Sequence, residues 1–138
     1  MQHRILVVDD DPDITVVVRM VLEAAGYQVE TAPDGEEGLE RVRREVPDLI
    51  ILDMLMPRLD GYGVVRALKE KPRWASIPIV IFTAVGEEAS RRRYELETGL
   101  AMDVDDYVEK PVKPVELLHR VGKVLERRGK RAGNPGEV

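Results

Sequence analysis

The chain has no cysteine, one phenylalanine and one tryptophan among its 138 residues. The lack of cysteine excludes disulfides, thiolate metal centres and cysteine nucleophiles. With so few aromatics, the core must be aliphatic. No apolar run approaches the roughly 20 residues a membrane-spanning helix needs, and Met1 to Asp10 lack the charged-then-apolar layout of a signal peptide. The expectation is a cytoplasmic protein with no membrane contact. Positive charge is not in excess either. A net charge of −5 argues against direct nucleic-acid binding, although Arg127-Arg128-Gly129-Lys130-Arg131 near the end is basic. His3 and His119 stand apart from any constellation and read as surface residues. What is present, 43% apolar and 34% charged residues, suits one soluble globular α/β domain.

Short apolar runs alternate with helical patterns. Ile5 to Val8, Leu49 to Leu52 and Ile79 to Phe82 are continuous and branched, as strands buried on both faces of a parallel sheet are. Gln28 to Ala32 alternates like an edge strand, and the short acidic stretch Val104 to Val108 suits the opposite edge. Between them, Ile14, Val17, Val18, Val21, Leu22 and Ala25 follow helical spacing, and Gly26 stops that helix. Leu39, Val42 and Val46 make a second stripe closed by Pro47. Val64, Val65 and Leu68 make a third, and Leu117, Leu118, Val121, Val124 and Leu125 the last. Glu87 to Glu97 is polar and Arg-rich, a weaker helix whose Arg91-Arg92-Arg93 run reads as a solvated face. Five βα units imply a parallel sheet with helices on both faces. Three buried and two edge-like strands fit a flavodoxin-like doubly wound (βα)5 sandwich of strand order 2-1-3-4-5, which binds ligands at the carboxyl ends of its strands. The expected domain is 1–126, with 127–138 a basic, flexible tail.

Polar groups follow the strands. Asp9-Asp10-Asp11 follow the first, Asp53 the third, Thr83-Ala84 the fourth and Lys110-Pro111 the fifth. In a parallel sheet all of these lie on one rim. Clustered carboxylates repel, and a hard cation such as Mg²⁺ relieves them. A carboxylate can also attack phosphorus to give an acyl phosphate. The three oxygens of a transferring phosphoryl group can face a metal, an ammonium and a hydroxyl. Asp9, Asp10, Asp53, Thr83 and Lys110 contain each part. Asp11 or Asp13 is expected to cap the first helix instead.

Over roughly residues 3–126 the sequence resembles response-regulator receiver domains. The resemblance lies in Ile-Leu-Val-Val-Asp-Asp at 5–10, Leu-Ile-Ile-Leu-Asp-Met-Leu-Met-Pro at 49–57, Asp60-Gly61, Phe-Thr-Ala at 82–84 and Asp-Tyr-Val-Glu-Lys-Pro at 106–111. Five motifs in the right order, each at a strand end, are specific where one alone is weak. The resemblance implies that Asp53 is the phosphoacceptor, supplied by a sensor histidine kinase or phosphotransfer protein. It implies that Asp10 and Asp53 ligate Mg²⁺ directly, that Asp9 helps through water, and that the backbone carbonyl of Leu55 is a further ligand. Lys110 would pair with the phosphoryl oxygens, and Thr83 would hydrogen-bond them and move on activation. Ala84 leaves room for the phosphate, Tyr107 is a rotating aromatic switch, and Lys110-Pro111 is a cis bond. Such a domain is a signalling switch, not an enzyme beyond its own phosphotransfer and dephosphorylation. Its implied output face joins the fourth helix of the pattern, the fifth strand and the last helix. Here that places Arg91 to Tyr94, Tyr107, His119, Arg120 and Lys123 near a protein partner or a second copy of the chain.

The sequence departs from the family in places. About four extra residues stand between Gly99 and Tyr107, and Val112 takes a position where Phe is frequent. Leu55 and Val85 are apolar at positions that influence phosphoryl lifetime in the family, which predicts a persistent phosphorylated state. A haloacid-dehalogenase-type phosphatase is an alternative, since Asp9 and Asp11 have its two-Asp spacing. Asp13 stands where that family has Thr or Val, and the strand ending in Asp53 would be unexplained. A phosphorylation-independent, receiver-like interaction module is the other alternative, although such modules lose an acidic residue or the Lys.

Overall fold

A computed structural model describes residues 2–84, 95–96 and 104–133, with side chains as far as 129. In chain order the elements are β1 (Arg4–Val8), α1 (Pro12–Ala24), β2 (Gln28–Ala32), α2 (Gly35–Arg44), β3 (Leu49–Asp53), α3 (Gly61–Lys69), β4 (Ile79–Thr83), β5 (Asp106–Glu109) and α4 (Pro114–Gly133). The five strands form one sheet in the order β2-β1-β3-β4-β5, and every neighbouring pair is parallel. This is the expected flavodoxin-like topology.

Strand alternation divides the core into two layers. Leu6, Val8, Ile50, Leu52, Ile79 and Ile81 face one side and pack with Leu39 and Val42 of α2 and Val64, Val65 and Leu68 of α3. Ile5, Val7, Leu49, Ile51, Val80 and Phe82 face the other and pack with Val18 and Leu22 of α1 and Leu117, Val121 and Val124 of α4. The stretches Ile5 to Val8, Leu49 to Leu52 and Ile79 to Phe82 of the inner strands are apolar at every position because each side chain, up or down, meets a helix. Among the described residues no helix is long and apolar enough to cross a membrane.

Helix starts follow local chemistry. Asp11 caps α1 by accepting the Asp13 N–H at 2.9 Å, and Pro12 opens the helix, where a missing N–H costs nothing. Asp34 caps α2 through the Glu37 N–H at 2.8 Å, and Asp60 caps α3 through the Gly63 N–H at 2.9 Å. Gly26, at φ 97°, provides the left-handed residue after α1.

Three expectations differ from the structure. Val46 does not join the buried stripe of α2, because the helix ends at Arg44 and Val46 is half exposed. β5 begins at Asp106 rather than Val104. Asp105 occupies the strand entrance, its N–H donating to the Ile79 carbonyl at 2.8 Å and its carboxylate accepting the Ile79 N–H at 2.9 Å. The last helix runs beyond Glu126 to Gly133, and Arg128 meets the Asp105 carboxylate at 2.9 and 3.1 Å. The fading apolar pattern carries no sign of that ion pair. Most of the expected helix Glu87–Glu97, including Arg91–Tyr94 and Val85 before it, lies outside the described residues, as do 97–103 with the extra residues around Met102.

Candidate functional site

The carboxyl ends of β1, β3, β4 and β5 carry the polar groups. β1 delivers Asp9 and Asp10 one and two residues past its end, and β3 ends on Asp53 itself. The Asp9 N–H donates to the Ala32 carbonyl at 3.1 Å, which prolongs the sheet by one rung and turns Asp9 inward. Asp9 and Asp53 are 1% and 2% exposed, the two buried charged residues among those described, while Asp10 is exposed. Carboxylate oxygens of Asp9, Asp10 and Asp53 lie within 4.8 Å of one another.

Lys110 closes the group. Its Nζ donates to Asp53 Oδ1 at 3.2 Å and lies 3.3 Å from Asp9 Oδ2. Its backbone N–H donates to the Thr83 carbonyl at 2.7 Å, so the ends of β4 and β5 are tied together beneath the ammonium. The Lys110-Pro111 bond is cis, as the resemblance implied. Asp9 Oδ1 accepts the Asp11 N–H at 2.9 Å, but Asp9 Oδ2 is buried without a hydrogen bond despite the nearby ammonium.

The electrostatics follow from this crowding. Burial, then the Asp9 charge, pushes the Asp53 carboxyl up to about 6, against the opposing pull of Lys110 and the Leu55 N–H. Burial likewise raises Asp9, although the Asp11 N–H and Lys110 work against it. For Lys110, burial favours the neutral amine, but the carboxylates of Asp53 and Asp9 outweigh it and hold the proton more tightly. One ammonium therefore serves two buried carboxylates, with a third at the rim. An additional hard cation fits this donor set, three carboxylates that share one ammonium, with the buried Asp9 Oδ2 held by that ion pair and by no hydrogen bond.

The other expected residues sit around this centre. Thr83 and Ala84, both half-buried, form the end of β4 and the residue after it. Leu55 donates its N–H to Asp53, and its side chain is 55% exposed. Tyr107 lies in β5 opposite Ile81 and packs partly buried on the α2–α3 side of the core. Asp11, needed by the phosphatase alternative, is engaged as the cap of α1. Sequence reasoning missed Arg58, whose φ of 66° is unusual for a residue with a side chain, and its ion pairs to Asp34 at 3.0 Å and Glu36 at 3.5 Å. It also missed the pairing of Arg120 with Asp106 at 2.8 Å. No spacing rule announces either contact.

A doubly wound sheet with acidic and ammonium groups gathered at one rim defines a class, and the family model named response regulator receiver domain matches residues 5–122. The chain belongs to this family and is a receiver domain of a two-component response regulator. It is 43% identical over 135 residues to a Porphyra purpurea protein named "Probable transcriptional regulator ycf27", a match covering 98% of this chain and 52% of that one. It is 41% identical over 127 residues to the alkaline phosphatase synthesis transcriptional regulatory protein PhoP of Bacillus subtilis (strain 168), covering 92% and 50%. Among solved structures, the receiver domain of a signal transduction histidine kinase from Syntrophus aciditrophicus superposes with a TM-score of 0.78 at 34% identity, covering 90% of each chain. The chain spans about half the length of the curated relatives it matches.

Proposed function

We propose that the domain accepts a phosphoryl group on Asp53 in a Mg²⁺-dependent reaction and relays the event to a partner surface. The observation that carries this reading is the buried Asp53 carboxylate, touched by Lys110 and crowded by Asp9. A carboxylate oxygen of Asp53 attacks phosphorus of a phosphohistidine, the P–N bond breaks, and the imidazole leaves with its electron pair and takes up a proton. The donor is a sensor histidine kinase or a phosphotransfer protein. Lys110 meets the negative charge on the phosphoryl oxygens, Thr83 offers its hydroxyl to one of them, and Ala84 leaves space beside it. Asp10, Asp53 and the Leu55 carbonyl would hold Mg²⁺, with Asp9 acting through water. The ion would neutralise phosphoryl charge. Asp53 must be ionised to attack, and a cation beside it favours that form.

Output follows from Thr83 drawing toward the new phosphoryl group and Tyr107 turning inward, a two-state element biased by local charge. The readout face contains Tyr107, His119, Arg120 and Lys123. The partner is a protein or a second copy of the chain. The names and lengths of the relatives support a receiver serving a longer transcriptional regulator, with nucleic acid contacted outside this domain. Phosphotransfer from acetyl phosphate or phosphoramidate, with and without Mg²⁺, tests the reading. Wild type takes up one phosphoryl group with Mg²⁺ and Asp53→Asn none; equal labelling of the Asn variant removes Asp53 from the mechanism.

A further inference from the structure

The loop between β3 and α3 runs past Asp53 and is pinned to the core and to itself. Met54 and Met56 anchor it in the core, and the Gly61 N–H closes it by donating to the Met54 carbonyl at 3.0 Å. At its outer end Arg58 adopts φ 66°. A left-handed conformation disfavours a residue bearing a Cβ, so neighbouring contacts must hold it there. Two contacts lead to the start of α2. The Leu59 carbonyl presses so closely on Gly35 that a Cβ on Gly35 would stand 2.6 Å from it. The Arg58 guanidinium bridges Asp34, Nη2 to Oδ2 at 3.0 Å, and Glu36, Nε to Oε1 at 3.5 Å. Asp34 is a fixed anchor, because its other oxygen already caps α2 through the Glu37 N–H.

We propose that Arg58 is a positioning residue of the Asp53 site: by clamping the loop to the α2 N-terminus it fixes the Leu55 peptide group beside Asp53. The link is short. The Leu55 N–H already bonds Asp53, and only two residues, Met56 and Pro57, separate Leu55 from Arg58. The inference rests on the reading of Leu55 and Asp53 given above. The guanidinium itself touches neither carboxylate of the buried pair, so its influence passes through the loop.

The sign of the effect separates a clamp from a simple field. Removing a cation near the acidic cluster should, through space alone, strengthen Mg²⁺ binding. Losing the clamp should weaken it. An exposed ion pair is worth up to about fivefold in an equilibrium constant. Arg58→Ala is therefore expected to bind Mg²⁺ about fivefold more weakly, measured from the rise in melting temperature with added Mg²⁺. Arg58→Lys, which keeps a donor for Asp34, recovers most of the loss. Backbone hydrogen exchange across residues 54–61, measured without metal, is expected to be faster in Arg58→Ala and near wild type in Arg58→Lys. Unchanged or tighter Mg²⁺ binding by Arg58→Ala overturns the proposal. So does weaker binding that Lys does not rescue and that leaves loop exchange unaltered. If wild type shows no Mg²⁺ response at all, the metal reading fails instead, and the exchange experiment still decides the clamp.

Discussion

Neutralising Asp53 by substitution with Asn should make the metal-free protein more stable at alkaline pH, even though it destroys the proposed acceptor. The folded-state pKa of Asp53 is raised from 3.8 to about 6, chiefly by burial and then by Asp9. The native state therefore holds this proton more tightly than the unfolded chain does. The stabilisation from protonation is complete below the unfolded value near 3.8 and is lost as pH rises through about 6. Such a displacement is worth about 3 kcal/mol in full, and about 1.4 kcal/mol on going from pH 8 to pH 5. Asp9 is shifted in the same direction and adds to the effect. Asp105 is shifted downward despite its burial, because Arg128 and the Ile79 N–H hold its charged form. Its contribution is present above 3.8 and is lost only as pH falls through its lower folded value, so it is nearly silent between pH 5 and 8. Asn is close in shape to the neutral acid and leaves Lys110 beside Asp9. At pH 8 in EDTA, Asp53→Asn should gain up to about 3 kcal/mol over wild type, or on the order of 10 °C in melting temperature. The gap should narrow at pH 5. Urea titrations of both proteins at fixed ionic strength measure it. A wild-type stability that is flat or rising from pH 5 to 8, with an Asn variant no more stable than wild type, would refute the electrostatic account of the site.

Mg²⁺ should raise the wild-type melting temperature by binding only the folded state, and Asp10→Ala should lose most of that response, as thermal denaturation against Mg²⁺ concentration will show. Gly61→Ala should cost about 1–3 kcal/mol, because its Cβ would stand 2.6 Å from the Asp53 carbonyl and 2.7 Å from Met54 Cα; chemical denaturation reads this directly. Arg128→Ala should cost about 1–3 kcal/mol by leaving the half-buried Asp105 carboxylate without its guanidinium partner, and hydrogen exchange at Ile79 and Asp105 should rise with it.

The three inner strands were legible because burial on both faces removes polar positions. Ile5 to Val8, Leu49 to Leu52 and Ile79 to Phe82 show it plainly, and the helical stripes of Val18 with Leu22 and Val64 with Leu68 are one-sided for a similar reason. The rim residues were legible because a parallel sheet sends every carboxyl end the same way, so Asp9, Asp53 and Lys110 could be placed together without any contact in view. Distant pairings were not. Asp105 looks like one acid among several, yet it opens β5 and holds Arg128, which moved both the start of that strand and the apparent end of the last helix. Val46 continues the apolar spacing of α2, but Glu45 turns to an extended conformation at φ −155° and carries it out of the stripe. Arg58 has no sequence mark because its backbone conformation is a property of the folded loop.

Lys110 comes 57 residues after Asp53 and sits one residue past the end of the last strand in the chain. A nascent or nicked chain that has paired β1, β2 and β3 owns all three carboxylates and still lacks their counter-charge. On the proposed mechanism, signalling competence would wait on completion of the fold, because a molecule whose final βα unit has not docked holds Asp53 in an uncompensated acidic pocket. Long-range parallel pairing forms slowly compared with local contacts. On that mechanism a half-made receiver would lack the ammonium that meets the phosphoryl charge, so phosphotransfer would report a completed fold.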